Sequence, residues 1–343
     1  MRPLLPPHLL APRNVLLLTG ASLLAGLGLI LSPELGLSRN EANPPAQVVA
    51  EPRHSAVLAL LPTDAGLPRT ADGRHYPLLP SEPKTLAALL ASLEEALRSA
   101  DTPADDLPRL GHQQQVIYRV LAHRRPLADQ VRAALPQRWQ PVFDHHVGAR
   151  REFLAMHRGQ RSLTLPSWRI IAPEPPENLL HYYREASAAT GIPWEVLAAV
   201  NLVETKMGRV DGISVAGAQG PMQFLPTTWA ERGIGRGDIR NPRDAISAAA
   251  RYLVRRGGPT NLKKALWGYN NSDHYGKAVL HYAALMKDDP AAFRGLYHWE
   301  VHFASGAGDL WLPVGYNQPK PISVAAYLKT HPASAPPAGS SGY

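Results

Sequence analysis

Glu204 is the acid whose surroundings are best suited to chemistry. It lies in Val203–Gly208, VETKMG, on a helix expected from Pro193 to Met207 and closed by Gly208. Leu197, Val200, Asn201, Glu204 and Met207 recur at three- and four-residue steps or beside them, so they share a face. An acid among apolar neighbours, near the negative end of a helix dipole, holds its proton more tightly than one in water. Such a carboxyl can protonate the leaving oxygen of a glycosidic bond near neutral pH. The helical pattern alone fits a glutamate at the edge of the face, reaching into water, at least as well. The segment that follows shifts the balance.

Thr205–Trp229 reads TKMGRVDGISVAGAQGPMQFLPTTW, with glycines at 208, 212, 217 and 220. Glycines so spaced let backbone approach a ligand or take positive φ. Ser214 and Gln223 offer hydrogen bonds to sugar hydroxyls or N-acetyl groups. Met222, Phe224 and Trp229 offer apolar faces for sugars, or equally core positions. No Gly-Lys-Ser/Thr ending and no preceding strand accompany the glycines, so a phosphate cradle is not expected. A paired-carboxylate glycosidase needs a second acid roughly 5 to 10 Å away. Asp211, Asp238 and Asp244 are the candidates, and Asp211, in the loop after Glu204, is the one left open.

Glu204, Ser214 ten residues on, and then GAQGPMQF resemble the lytic transglycosylase (SLT) domain related to goose-type lysozyme. Gly268-Tyr269-Asn270-Asn271 is similar to that family's Ala-Tyr-Asn motif. VETKMG, GAQGPMQFLPTTW and NPRDAISAAARYL resemble the membrane-bound lytic transglycosylase B branch, in an actinobacterial type. The likeness spans about 177–286. It implies a lysozyme-like, all-α fold, with Glu204 catalytic and Ser214, Gly217, Met222, Gln223, Tyr269 and Asn270 near the bound sugar. It also implies cleavage of the β-1,4 bond between N-acetylmuramic acid and N-acetylglucosamine in peptidoglycan strands, without water, leaving a 1,6-anhydro sugar. A hydrolytic lysozyme and a non-catalytic wall-binding scaffold are the competing readings. The chain departs from the pattern at Thr205, Pro221, Gly268 and Asn271.

The elements that position these residues read as helices. Helices are expected at 178–190, from Asn241-Pro242-Arg243-Asp244 to Gly257, at 261–269 and at 273–286. No run shows strand alternation, so the domain at 166–316 is expected to be mainly α. Upstream, Leu86, Leu89, Leu90, Leu93 and Leu97 mark an amphipathic helix, followed by helices near 113–123, 127–134 and 141–156. This 84–165 stretch reads as a helical accessory segment, a small domain or a docking segment, with His145 and His146 as surface residues. Residues 32–83 read as a Pro/Ala-rich linker and 317–343 as a tail, disordered from 333.

Val15–Leu31 is an uncharged apolar run behind Arg2 and Arg13, an export signal or anchor at 1–31. No small-x-small cleavage site follows, which favours an anchor and an extracytoplasmic location for the remainder. The 343 residues contain no cysteine, which excludes disulfides, thiolate metal sites and cysteine nucleophiles. The net charge of +8 suits an anionic wall or membrane surface. No nucleic-acid-binding signature accompanies it, and no cofactor or metal motif appears. Nothing in the sequence names a protein partner.

Overall fold

The computed structural model describes residues 57–63, 66–156 and 161–337. The expected export segment, Val15–Leu31, lies outside them. Among the described residues no helix is long and apolar enough to cross a membrane.

The chain is mainly helical, as the sequence indicates. Four helices come first: α1 (Pro83–Arg98), α2 (Leu107–His123), α3 (Arg125–Ala134) and α4 (Gln140–Met156). In α1 the leucine stripe is fully buried, and the Glu82 carboxylate caps the helix by accepting from Thr85 N at 2.6 Å. α2 starts six residues earlier than its periodicity suggests. Its first turns include Gly111, where a Cβ would stand 2.5 Å from His298 Cβ, so the glycine marks a close approach rather than a helix end.

The helices around Glu204 follow: α5 (Pro176–Thr190), α6 (Trp194–Thr205), α7 (Pro226–Trp229), α8 (Pro242–Arg255), α9 (Leu262–Asn270) and α10 (Asp273–Asp288). Asn241 caps α8 as expected, accepting from Asp244 N at 3.2 Å. α6 ends earlier than expected, because Lys206 and Met207 both take left-handed backbone with φ of 54° and 61°. α11 (Ala292–Tyr297) and α12 (Val324–Thr330) complete the helices longer than one turn of 3-10 helix.

Three antiparallel two-stranded pairs supplement the helices: β1 (Thr164–Leu165) with β6 (Ile322–Ser323), β2 (Arg169–Ile170) with β3 (Val210–Asp211), and β4 (Val301–Ser305) with β5 (Gly308–Leu312). Most are only two residues long. The β4–β5 hairpin is buried along most of both strands, so neither kind shows the alternation that betrays a half-exposed strand.

The 84–165 helices pack into the rest of the fold: one continuous apolar core runs from Val57 and Leu86 through α6 and α10 to Trp299. α4 lies along α10, and α11 packs on α1 and α2. The end of the expected linker is also packed, with Val57 and Tyr76 buried and Tyr76 Oη donating to Asp309 O at 3.0 Å. The expected tail carries β6 and α12, and Tyr327, Ala333 and Ser334 are buried. Ala333 and Ser334 are thus packed instead of solvated.

His146, expected at the surface, is buried and stacks on Tyr118 with ring centroids 4.1 Å apart. His145 is half-buried, its Nδ1 3.0 Å from His281 Nδ1. Two neighbouring polar letters look solvated in a sequence, but α4 is covered by α2 and α10 together.

Candidate active site

α6 runs through the middle of the core, and every residue from Val196 to Thr205 is buried. The helix therefore has no solvent face on which an edge glutamate could stand. Glu204 is 8% exposed. Its Oε1 accepts from Tyr275 Oη at 2.7 Å, while its Oε2, also buried, has no hydrogen-bond partner. Burial pushes its carboxyl up to about 8, against the opposing pull of the Tyr275 hydrogen bond and the Lys206 charge. A carboxyl in this state is protonated at neutral pH, with one oxygen held and the other uncommitted.

A column of tyrosines supports it. Tyr275, near the start of α10, stacks parallel to Tyr269 of α9, with ring centroids 6.1 Å apart and planes 3° apart. Tyr269 Oη in turn donates to Met222 O at 2.8 Å. Two rings and one backbone carbonyl thus fix the hydroxyl that holds Glu204. Ser272 caps α10 by accepting from Tyr275 N at 3.3 Å, so the cap aims the first tyrosine.

The end of α6 is tied to the glycine-rich loop. Asn201 Nδ2 donates to Pro221 O at 2.8 Å, and Asn201 Oδ1 accepts from Tyr183 Oη at 2.6 Å. Thr205 Oγ1 donates to Pro221 O at 2.6 Å and accepts from Gly208 N at 3.0 Å. A hydroxyl suffices at this position, so threonine fills the place where the resemblance expects serine.

Within the loop, Gln219 and Phe224 exchange backbone hydrogen bonds across a turn in which Gln223 N donates to Gly220 O. A Cβ on Gly220 would fall 1.9 Å from Ile239 O, and its φ is 72°. That position admits only glycine. Gln223 has φ of 48°, and its Nε2 donates to Gly220 O at 2.9 Å. Ser214 Oγ accepts from Ala218 N at 3.0 Å, and Gly217 N donates to Ser214 O at 2.8 Å. Ser214 and Gln223 therefore shape the loop through the groups expected to meet sugar.

The structure gathers the expected site residues unevenly. Glu204, Tyr269 and Met222 are joined through Tyr275, but the Met222 side chain is fully buried and offers its carbonyl, not an apolar face. Phe224 is buried too, and Trp229 is packed over Gly235. Asn270 is half-buried at the end of α9. Asp211 is clamped by two cations, Arg169 (Nε at 3.0 Å) and Arg240 (Nη1 at 3.0 Å). Asp238 Oδ1 accepts from Arg240 N, and Asp244 Oδ2 accepts from Asp238 N. All three acids proposed as a second carboxylate hold the loops together. Among the described residues no group of three or more His, Asp or Glu could hold a metal ion.

Comparison with known protein families matches residues 181–284 to the Transglycosylase SLT domain. The match runs from α5 into α10, so Glu204, the glycine-rich loop, Tyr269 and Tyr275 all fall inside it. It supports a peptidoglycan-acting function of the lytic transglycosylase type. It covers under a third of the chain and leaves α1–α4 and everything after α10 outside. No curated protein and no solved structure matches the chain.

Tyr275 escaped the sequence reading. Its only signal is a buried-face register with Ala278, Val279 and Tyr282, which describes core tyrosines equally well. Lys206 escaped as well. It is half-buried, its Nζ donates to Leu202 O at 3.0 Å, and burial pushes its ammonium down to about 7, helped by Arg119 and Arg150 and opposed by Glu204.

Proposed function

We propose that the protein is a peptidoglycan lytic transglycosylase that cuts the β-1,4 bond between N-acetylmuramic acid and N-acetylglucosamine. The observation that carries this reading is Glu204: buried, with its carboxyl pushed up to about 8 by that burial, anchored through Oε1 by Tyr275, and unpartnered at Oε2. Glu204 gives its proton to the glycosidic oxygen as the bond to the anomeric carbon breaks. The resulting carboxylate then takes the proton from the muramic 6-hydroxyl as O6 bonds to that carbon. The substrate's N-acetyl group supports the positive charge between the two steps. No water is consumed, and the product ends in a 1,6-anhydro ring.

Several observations support a single-carboxylate mechanism over paired-acid hydrolysis. Among the described residues the charge acting on Glu204 is that of Lys206, and Asp211 is committed to Arg169 and Arg240. Export of the catalytic part across the membrane by the 1–31 segment, and action in the cell envelope, belong to the same proposal.

Mass spectrometry of digested peptidoglycan tests it. Anhydromuropeptides are expected from the parent protein and none from Glu204→Gln. Reducing-end products would instead establish a hydrolase, and wall binding without any product would establish a scaffold. An active Glu204→Gln protein would sink the assignment of the acid.

A further inference from the structure

A continuous line of contacts reaches the Glu204 carboxyl from outside the matched stretch. α4 ends at Met156, upstream of residues 181–284. Met156 Sδ accepts a hydrogen bond from Ser272 Oγ at 3.3 Å. Ser272 caps α10, and the same Oγ accepts from Tyr275 N at 3.3 Å. Tyr275 Oη then donates to Glu204 Oε1 at 2.7 Å. The last residue of α4 is thus joined, through the cap and first turn of α10, to the last turn of α6.

The two outer helices run antiparallel, from His145 beside His281 to Met156 beside Ser272. α4 approaches the first turn of α10 at a second point as well. Glu152, one turn before Met156, is buried, and its Oε2 stands 3.9 Å from His274 Nδ1. That separation exceeds hydrogen-bond reach, so the Met156 contact is the one that ties the helices here.

The chemistry of Ser272 gives that contact its weight. A serine hydroxyl has one hydrogen to give and two lone pairs to offer. Donating to the Met156 thioether commits the hydrogen and turns the lone pairs toward α10, where Tyr275 N is the donor. Without an acceptor at residue 156 the hydroxyl is free to rotate, and the cap loses its fixed orientation. Stacking on Tyr269 fixes the plane of the Tyr275 ring, while the backbone of its own turn fixes where the hydroxyl sits in that plane.

We infer that Met156 is a positioning residue for the reaction: it orients the Ser272 cap, the cap places Tyr275, and Tyr275 holds the reacting carboxyl of Glu204. The reaction itself rests on the peptidoglycan reading above. A methionine at the end of a helix otherwise reads as adaptable packing. By this route α4 takes part in the site as well as in the core.

The test follows the Glu204 carboxyl directly, by carbon NMR titration of the full chain labelled at glutamate. Glu204→Gln assigns its resonance, and Glu152→Gln assigns the other carboxyl that burial lifts, to about 7. In the parent the Glu204 value is about 8, lowered from what burial alone would give by the Tyr275 hydrogen bond and the Lys206 charge. Tyr269 and Tyr275 are the titratable rings that feel the carboxyl. Met156→Leu keeps the volume and removes the acceptor. It should weaken the Tyr275 bond and raise the Glu204 value by about half a pH unit. Met156→Gln supplies an acceptor at similar length and should reverse most of that rise. In a Tyr275→Phe background, Met156→Leu should move the value no further, whereas a general loosening of the core would act in both backgrounds. Glycan cleavage at neutral pH should fall by about two- to fivefold in Met156→Leu, through kcat more than KM. If Met156→Leu lowers the thermal midpoint, Ser272→Gly removes the hydroxyl at a position where glycine is a tolerated cap, and the same rise is expected.

An unchanged Glu204 value in Met156→Leu overturns the positioning role. So does a rise that Met156→Gln fails to reverse, or one that persists without the Tyr275 hydroxyl. A parent protein that releases no glycan product overturns the peptidoglycan reading instead. The titration needs no substrate, so the two failures are distinguishable.

Discussion

Two buried carboxyls in this molecule have opposite fates. Asp309, near the turn of the β4–β5 hairpin, accepts from both Arg119 Nε (2.6 Å) and Arg119 Nη2, lies 2.9 Å from His302 Nδ1, and accepts the Tyr76 hydroxyl at 3.5 Å. Burial alone would raise its carboxyl, but Arg119 and His302 outweigh burial and hold it well below the usual carboxylate range. Glu204 is comparably buried but has one tyrosine and the charge of Lys206, and burial wins. Equal desolvation thus yields a permanent ion in one place and a reservoir of one proton in the other. The number of donors offered decides which. Asp309 helps join α2 to the hairpin. Glu204 keeps an oxygen in reserve.

Removing each charge should separate these roles most sharply. Asp309→Asn breaks a buried ion pair and should cost roughly 3–5 kcal/mol, read as a large fall in thermal midpoint. Glu204→Gln should leave the midpoint unchanged or raise it at neutral pH, while glycan cleavage falls by about 10²–10⁴ or more. A Glu204→Gln protein as destabilised as Asp309→Asn would dissolve the contrast.

The pH dependence of stability carries the next effect. Glu204 has a folded value near 8, above its unfolded value of 4.5. Its contribution is therefore fully present below about pH 4.5 and is lost progressively as pH rises through 8. Denaturant titrations of the parent and Glu204→Gln should diverge over that window, by up to a few kcal/mol, with the variant the more stable at pH 8 to 9. Parallel curves would mean that the carboxyl is not held protonated.

Gly220→Ala places a Cβ on Ile239 O and forces a positive φ. It should cost about 1–3 kcal/mol and loosen the loop that Thr205 and Asn201 hold, which urea unfolding would register.

Tyr275→Phe should move the alkaline limb of the rate profile to higher pH, because the lost hydrogen bond is one of the influences lowering the Glu204 value. Rates should fall by about tenfold at neutral pH as the carboxyl loses its anchor. The smallest change is expected from Asp211→Asn. Its ion pairs are partly exposed, so stability should shift by less than about 1 kcal/mol, with the anhydro product retained. Loss of cleavage in that variant would revive a two-carboxylate mechanism.

The parts of the fold that the sequence reveals are those governed by local rules. α8 is marked by Asn241-Pro242 and Asp244, and α9 and α10 by their caps and periodicity, each within a few residues of its observed limits. The parts it hides depend on what lies across from a residue. His146 is buried by α2 and α10, Tyr275 matters because Glu204 faces it, and β4 and β5 lack alternation because they are covered along most of their length. Glu204 sits between these cases. Its motif context marks it as the acid, but only the full enclosure of α6 explains why its proton stays.

The unbroken core between α4 and α10 bears on where this protein can be cut. A fragment trimmed to 181–284 would keep every residue of the Glu204 and tyrosine column, yet strip α4 from the flank of α10 and leave that flank's apolar side chains facing water. The reactive carboxyl would survive on paper in a piece with no reason to stay folded. The smallest working piece is therefore set by its buttress, far upstream of the chemistry.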